Sequence, residues 1–166
     1  MKFEGIVKTS TVDYPGKIVS TIFTAGCKFK CEYCHNFHLM NPKPNEVYID
    51  EKEIIEHLKK RGKLIDGVCI TGGEPSLWKK EIYEFIKKLR KDVREDIVVK
   101  VDTNGSDTDF ITKIAKYADY VAMDFKSTDY SLFSSVKNEV ILRSLQELKK
   151  IKNHEVRITM YPPYIR

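Results

Sequence analysis

The sequence predicts an α/β fold in which about five βα units lay parallel strands side by side through right-handed crossovers. Three observations predict it. Short runs rich in β-branched residues alternate with longer stretches whose apolar residues recur at helical spacing. No internal repeat or low-complexity tract interrupts that rhythm. The residues with unusual chemistry follow the C-terminal ends of the strand-like runs, where parallel α/β folds place their sites. A chain of 166 residues is the size of one domain, so residues 1–166 are read as a single unit with its own core.

In chain order, a short N-terminal segment and the turn-rich Thr11-Val-Asp-Tyr-Pro-Gly16 precede the first strand, Ile18 to Thr24, which is β-branched and ends before Gly26. Residues 41–45, with two prolines, read as a loop. Asp50 with Glu53 three residues on resembles a capping box, opening a helix with Ile54, Ile55 and Leu58 on one face and Gly62 as its stop. Gly67 to Thr71 is the second strand, Gly72-Gly-Glu-Pro75 a loop, and a helix from about Ser76 turns Ile82, Phe85, Ile86 and Leu89 inward. Ile97 to Val101, then the loop Asp102-Thr-Asn-Gly105, then a helix over 108–118 with Ile111, Ile114, Ala115 and Ala118 inward repeat the unit. Tyr120 to Met123, a helix from Val140 to Ile151, and a strand from Val156 to Met160 complete it.

Composition narrows the function classes. Hydrophobic residues at 42% and charged residues at 32% are globular proportions. No apolar run approaches the roughly 20 residues that span a bilayer, and MKFEGIVKTS has no secretion-signal core, so a cytoplasmic location is expected and a membrane role is not. In a reducing compartment, clustered cysteines read as metal or redox chemistry rather than disulfides. The net charge of +5 comes from lysines along helical stretches, such as Lys59, Lys60, Lys87 and Lys88, which suits a solvated face better than a nucleic-acid track.

Cys27, Cys31 and Cys34 lie within ten positions. On a helix they would share a face, but Lys28, Lys30, Glu32 and His35 surround them, Gly26 interrupts the entry, and the outer sulfurs would stand about 10 Å apart. A wrapped loop is therefore the expectation. Zinc is one occupant, with His38 as the reachable fourth ligand; an iron–sulfur cubane held at three irons, its fourth open, is another. Cys69, alone within a strand, reads as core packing.

The motif Cys27-Lys-Phe-Lys-Cys31-Glu-Tyr-Cys34 after the first strand and Thr71-Gly-Gly-Glu-Pro75 after the second resemble those of the radical S-adenosylmethionine enzymes. Thr11-Val-Asp-Tyr-Pro-Gly16, Cys-His-Asn at 34–36, Asp-Thr-Asn-Gly at 102–105 and Met-Asp-Phe-Lys at 123–126 narrow the likeness to the glycyl-radical-enzyme activating proteins, above all the activators of anaerobic ribonucleoside-triphosphate reductase. The resemblance covers nearly the whole chain and implies a partial (β/α) TIM-type barrel with parallel strands, a shortened radical SAM core forming one domain over 1–166.

It further implies that Cys27, Cys31 and Cys34 ligate three irons of a [4Fe-4S] cluster whose fourth iron takes S-adenosylmethionine. Tyr33 matches the residue that packs on the adenine, and His35 a cofactor-loop position acting through its backbone. Gly72, Gly73 and Glu74 match the segment that meets the cofactor's amino group. Asp102, Thr103 and Asn104 match the loop near the ribose, and Arg157 an arginine facing the cofactor's carboxylate. The implied chemistry is reductive cleavage of the sulfonium to a 5′-deoxyadenosyl radical, which takes hydrogen from a partner's glycine. No side-chain acid or base is then needed. An electron donor such as flavodoxin or ferredoxin is implied. Asp124 and Lys126 have no assigned role. Larger relatives add a sixth strand that closes the barrel, so this chain is either a minimal version or leaves an open edge for another chain to cover, by dimerisation or by docking on the partner. A radical enzyme acting on a small molecule or peptide, and a non-catalytic zinc-binding interaction module, are the competing readings.

Overall fold

A computed structural model describes residues 1–41 and 46–165. Most of the proline-containing loop expected at 41–45 lies outside the described residues. Six strands form one sheet in the order β1-β2-β3-β4-β5-β6: β1 Phe3–Ser10, β2 Val19–Thr24, β3 Gly67–Gly72, β4 Val98–Thr103, β5 Tyr120–Phe125 and β6 His154–Ile158. From β2 to β6 every pairing is parallel, and the sheet is open, as a partial barrel requires. The strand not foreseen is β1, which runs antiparallel to β2 with irregular register at Phe3/Gly5 and Val7/Ser10. It pairs what would otherwise be the free edge of β2.

The helices are α1 Phe37–Met40, α2 Glu51–Arg61, α3 Lys79–Lys88, α4 Thr108–Ile114 and α5 Asn138–Leu148. Helix α2 starts where Asp50 accepts a hydrogen bond from the Lys52 amide at 2.8 Å, and carries Glu51 and Glu53 in its first turn and Lys59, Lys60 and Arg61 in its last. That charge order suits the helix dipole, and Gly62, at φ +49°, ends it as expected. A 3₁₀ turn over Pro75–Trp78 precedes α3. Helix α4 stops at Ile114, so Ala115, expected inward, is exposed.

Because side chains alternate across a strand, the two sheet faces differ. One face sends Ile22, Val68, Ile70, Val99, Val101, Val121 and Met123 against Ile54, Leu58, Ile82, Phe85, Phe110, Ile111 and Ile141 of the helices, making the main core. The other face starts apolar, with Val19 and Cys69 packed under Tyr14, Val98 and Tyr120. Cys69 is thus core packing, as expected. Towards the C-terminal ends of the strands this second face turns polar, with Thr21, Lys100 and Asp102 all buried.

Candidate functional site

The three cysteines lie on a loop, not a helix, and four contacts fix its course. The Gly26 amide donates to Leu39 O at 2.7 Å, Cys27 N to Met40 O at 3.4 Å, Lys30 N to Phe133 O at 2.9 Å and Cys34 N to Cys31 O at 3.1 Å. Phe29 anchors the middle of the loop: it is buried, with its ring 5.5 Å from that of Tyr130 and 5.4 Å from that of Phe133. With Phe29 turned into the core, Cys27, Cys31 and Cys34 line one cavity of about 210 Å³. Burial raises the Cys31 thiol and pushes the Cys27 thiol up to about 11, so thiolate at Cys27 needs a compensating cation.

Two further segments complete the cavity wall, Thr71 to Pro75 at the C-terminal end of β3 and Asp102 to Asn104 at that of β4, so Asp102 and Thr103, expected in a loop, are the last residues of the strand. Their glycines are dictated by the protein itself. A Cβ on Gly73 would stand 2.0 Å from Gly26 O, and one on Gly72, where φ is +115°, 2.3 Å from Thr24 N. The Gly-Gly loop and the entry to the cysteine loop are thus in backbone contact. Glu74 then ties its own segment to the segment from Asp102 to Asn104. Its Oε1 accepts from Thr103 Oγ1 at 2.6 Å and Ser76 N at 3.0 Å, and its Oε2 accepts from Asn104 N at 2.7 Å. The carboxyl is fully enclosed, and burial raises its pKa against the pull of these donors.

A chain of opposite charges crosses the polar sheet face. Lys100 Nζ stands 2.7 Å from Asp102 Oδ1, Arg157 bridges Asp102 at 3.1 Å and Asp124 at 2.8 Å, and Lys126 Nζ lies 3.0 Å from Asp124. Burial alone would raise the Asp124 carboxyl, but Lys126 and Arg157 hold it below its ordinary value. Lys126 also reaches to 5.9 Å from the Tyr33 ring, and both line the cavity.

Of the residues singled out from the sequence, Tyr33, Cys34, His35, Gly72, Gly73, Glu74, Asp102, Thr103 and Asn104 line this cavity with Cys27 and Cys31, and so do Asp124 and Lys126. Arg157 gives its guanidinium to Asp102 and Asp124, and it is not among the residues that line the cavity. His38, the reachable fourth ligand of a zinc site, instead lines a separate groove with Glu4 and Phe23. Among the described residues, no three His, Cys, Asp or Glu side chains gather tightly enough to hold a single ion. Sequence reasoning missed Lys100, whose signal is a lysine within the apolar run Val98-Val-Lys-Val101, and Phe29, an aromatic between two ligand-type cysteines.

Comparison with known proteins places the chain among relatives of the same fold. A Methanocaldococcus jannaschii protein with the provisional name of glycyl-radical enzyme activating enzyme is 34% identical over 157 residues, covering 93% of this chain and 60% of its own length. The pyruvate formate-lyase-activating enzyme of Staphylococcus epidermidis is 29% identical over 157 residues, covering 86% of this chain and 61% of its own. The chain therefore spans about 60% of the length of these curated relatives. Among solved structures, TYW1 with a lysine-pyruvate adduct superposes with TM-score 0.62 at 19% identity, covering 89% of this chain and 57% of that one. Native anSMEcpe with bound AdoMet superposes with TM-score 0.60 at 21% identity, covering 81% and 40%. These likenesses establish the fold. The superfamily's sequence profile matches residues 21–164, a span that holds all three loops of the cavity, and the chain belongs to the Radical SAM superfamily, whose cofactors are a [4Fe-4S] cluster and S-adenosylmethionine.

Proposed function

We propose that the chain is the radical-generating unit of a glycyl-radical-enzyme activating enzyme, with Cys27, Cys31 and Cys34 as the cluster ligands. The observation that carries this reading is the meeting of the three thiols with the Gly-Gly-Glu-Pro and Asp-Thr-Asn loops in one cavity. The residues fit the two cofactors. Three soft thiolates suit iron. The Tyr33 hydroxyl is buried beside them and, among the described residues, makes no hydrogen bond of good geometry. Asp102 faces the cavity as an acceptor for ribose hydroxyls, steadied from behind by Lys100 and Arg157. Arg157 then acts through Asp102 and Asp124 rather than by touching ligand. Once bound and reduced, the cofactors supply homolysis of the sulfonium C–S bond and a primary carbon radical for hydrogen abstraction. The chain's part is orientation, exclusion of water by the aromatic residues around Phe29, and compensating charge from Lys126.

The substrate is a glycine Cα–H of a partner protein, an assignment supported by the names of the two curated relatives. Anaerobic ribonucleoside-triphosphate reductase and a formate-lyase are the two candidate partners, with a flavodoxin or ferredoxin as electron donor. The test is anaerobic reconstitution followed by reduction with each candidate partner present. Binding of about four irons per chain, reductant-dependent release of 5′-deoxyadenosine, and a glycyl doublet in the electron paramagnetic resonance spectrum of one partner are expected. Deoxyadenosine release without a doublet on any glycyl-radical protein would move the substrate to a small molecule or peptide. Stoichiometric zinc without cleavage would overturn the reading.

A further inference from the structure

We propose that Asn104 sets the reduction potential of the cluster by donating a hydrogen bond from its side-chain amide to the Cys27 sulfur. The inference rests on the reading of Cys27 as an iron ligand. Asn104 Nδ2 lies 3.6 Å from Cys27 Sγ, within range for an N–H···S bond, although the two residues are 77 positions apart. Which end of the amide faces the sulfur follows from the other end. Asn104 Oδ1 stands 2.9 Å from the Ser106 amide nitrogen, a group that can only donate, so the oxygen belongs there and the NH₂ faces Cys27.

The donor is also held still. The Asn104 amide nitrogen is fixed on Glu74 Oε2 at 2.7 Å, and the residue is only 4% exposed. Cys27 Sγ receives a second donor, the Phe29 amide at 3.4 Å. A hydrogen bond to a cluster sulfur strengthens as negative charge on that sulfur grows. One-electron reduction adds such charge, so the bond favours the reduced state and raises the potential. The loop after β4 thereby takes part in deciding how readily an external donor reduces the centre.

A turn-shaping role for Asn104 makes a different prediction, and two variants separate them. Asn104→Asp keeps an oxygen for the Ser106 amide but offers no N–H to the sulfur; Asn104→Leu is neutral and offers neither. The experiment reconstitutes wild type and both variants and titrates the cluster optically against redox mediators. Wild type and both variants, labelled with ¹⁵N at the asparagine side-chain amides, are also examined for hyperfine coupling to the reduced cluster. The reduced fraction of Asn104→Leu at fixed poise is expected to fall about tenfold, which is about 59 mV for one electron, with Asn104→Asp at least as low. The ¹⁵N coupling is expected in wild type and absent from both variants. A wild-type potential in Asn104→Leu, or in Asn104→Asp should the leucine variant fail to load, overturns the inference, as does a missing wild-type coupling. A wild type that binds no [4Fe-4S] cluster overturns the site reading along with it.

Discussion

At the scale of single residues, the cavity wall is tied together by a buried acid, Glu74. Glu74 spends both carboxyl oxygens on donors from two loops, Thr103 and Asn104 on one side and Ser76 on the other. An isosteric Glu74→Gln turns one oxygen into an NH₂ that must face an N–H or O–H donor. The iron-free variant is expected to lose about 1–3 kcal/mol, read as a lower urea midpoint at unchanged slope. An unchanged midpoint would mean that the loops are held together by other contacts. The role of Glu74 was half legible. Gly-Gly-Glu-Pro announces a loop and a helix cap, and Glu74 does accept from the Ser76 amide. Its bonds to Thr103 and Asn104 span 29 and 30 positions and have no signature in a single sequence. Arg157 shows the same limit: a late arginine was visible, but only the register of Asp124 opposite Arg157 decides which carboxylates claim it.

Elements were legible where local chemistry sets them. Asp50 and Gly62 bracket α2 as expected, because a cap and a left-handed glycine act within one turn of chain. Strand β1 was missed because Phe3–Ser10 alternates imperfectly and owes its form to pairing with β2 across irregular register. Strand β6 begins at His154 rather than Val156, since it pairs back to Val121 on β5. The close approach of two loop backbones at Gly73 makes its own prediction. A methyl group there meets the Gly26 carbonyl, a backbone atom that cannot rotate away, whereas one on Gly5 meets nothing within 4 Å. Gly73→Ala is expected to cost at least about 2 kcal/mol and to lower iron uptake, with Gly5→Ala near wild type in both. Equal iron uptake by the two variants would show that the cysteine loop does not depend on that contact.

At the scale of the whole molecule, the sequence suggests a cysteine loop left uncovered unless the fold is a minimal one or another chain covers it. The segment after β6 instead returns over it. Tyr164 Oη accepts from the Glu32 amide at 3.0 Å, its carbonyl accepts from Ser127 Oγ at 2.6 Å, and its ring stacks on Phe133 at 4.5 Å. Tyr161 Oη donates to Glu32 at 3.0 Å, and both tyrosine rings lie within 5.6 Å of Tyr33. This cover joins the last strand to the turn that carries Cys31 and Cys34, a closure no local pattern could announce. Elsewhere the open edge persists, with Val156, Ile158 and Met160 exposed along and beyond β6. If the tyrosine turn shields the cluster, removing its ring should quicken iron loss while removing only its hydroxyl should do less. In reconstituted protein, Tyr164→Ala is expected to release iron to a chelator several-fold faster than wild type. Tyr164→Phe, which gives up one hydrogen bond of about 1 kcal/mol but keeps the stacking on Phe133, should fall near wild type. The reading fails if Tyr164→Ala holds its iron as long as wild type, for then the aromatic packing around Phe29 shields the cysteine loop without it.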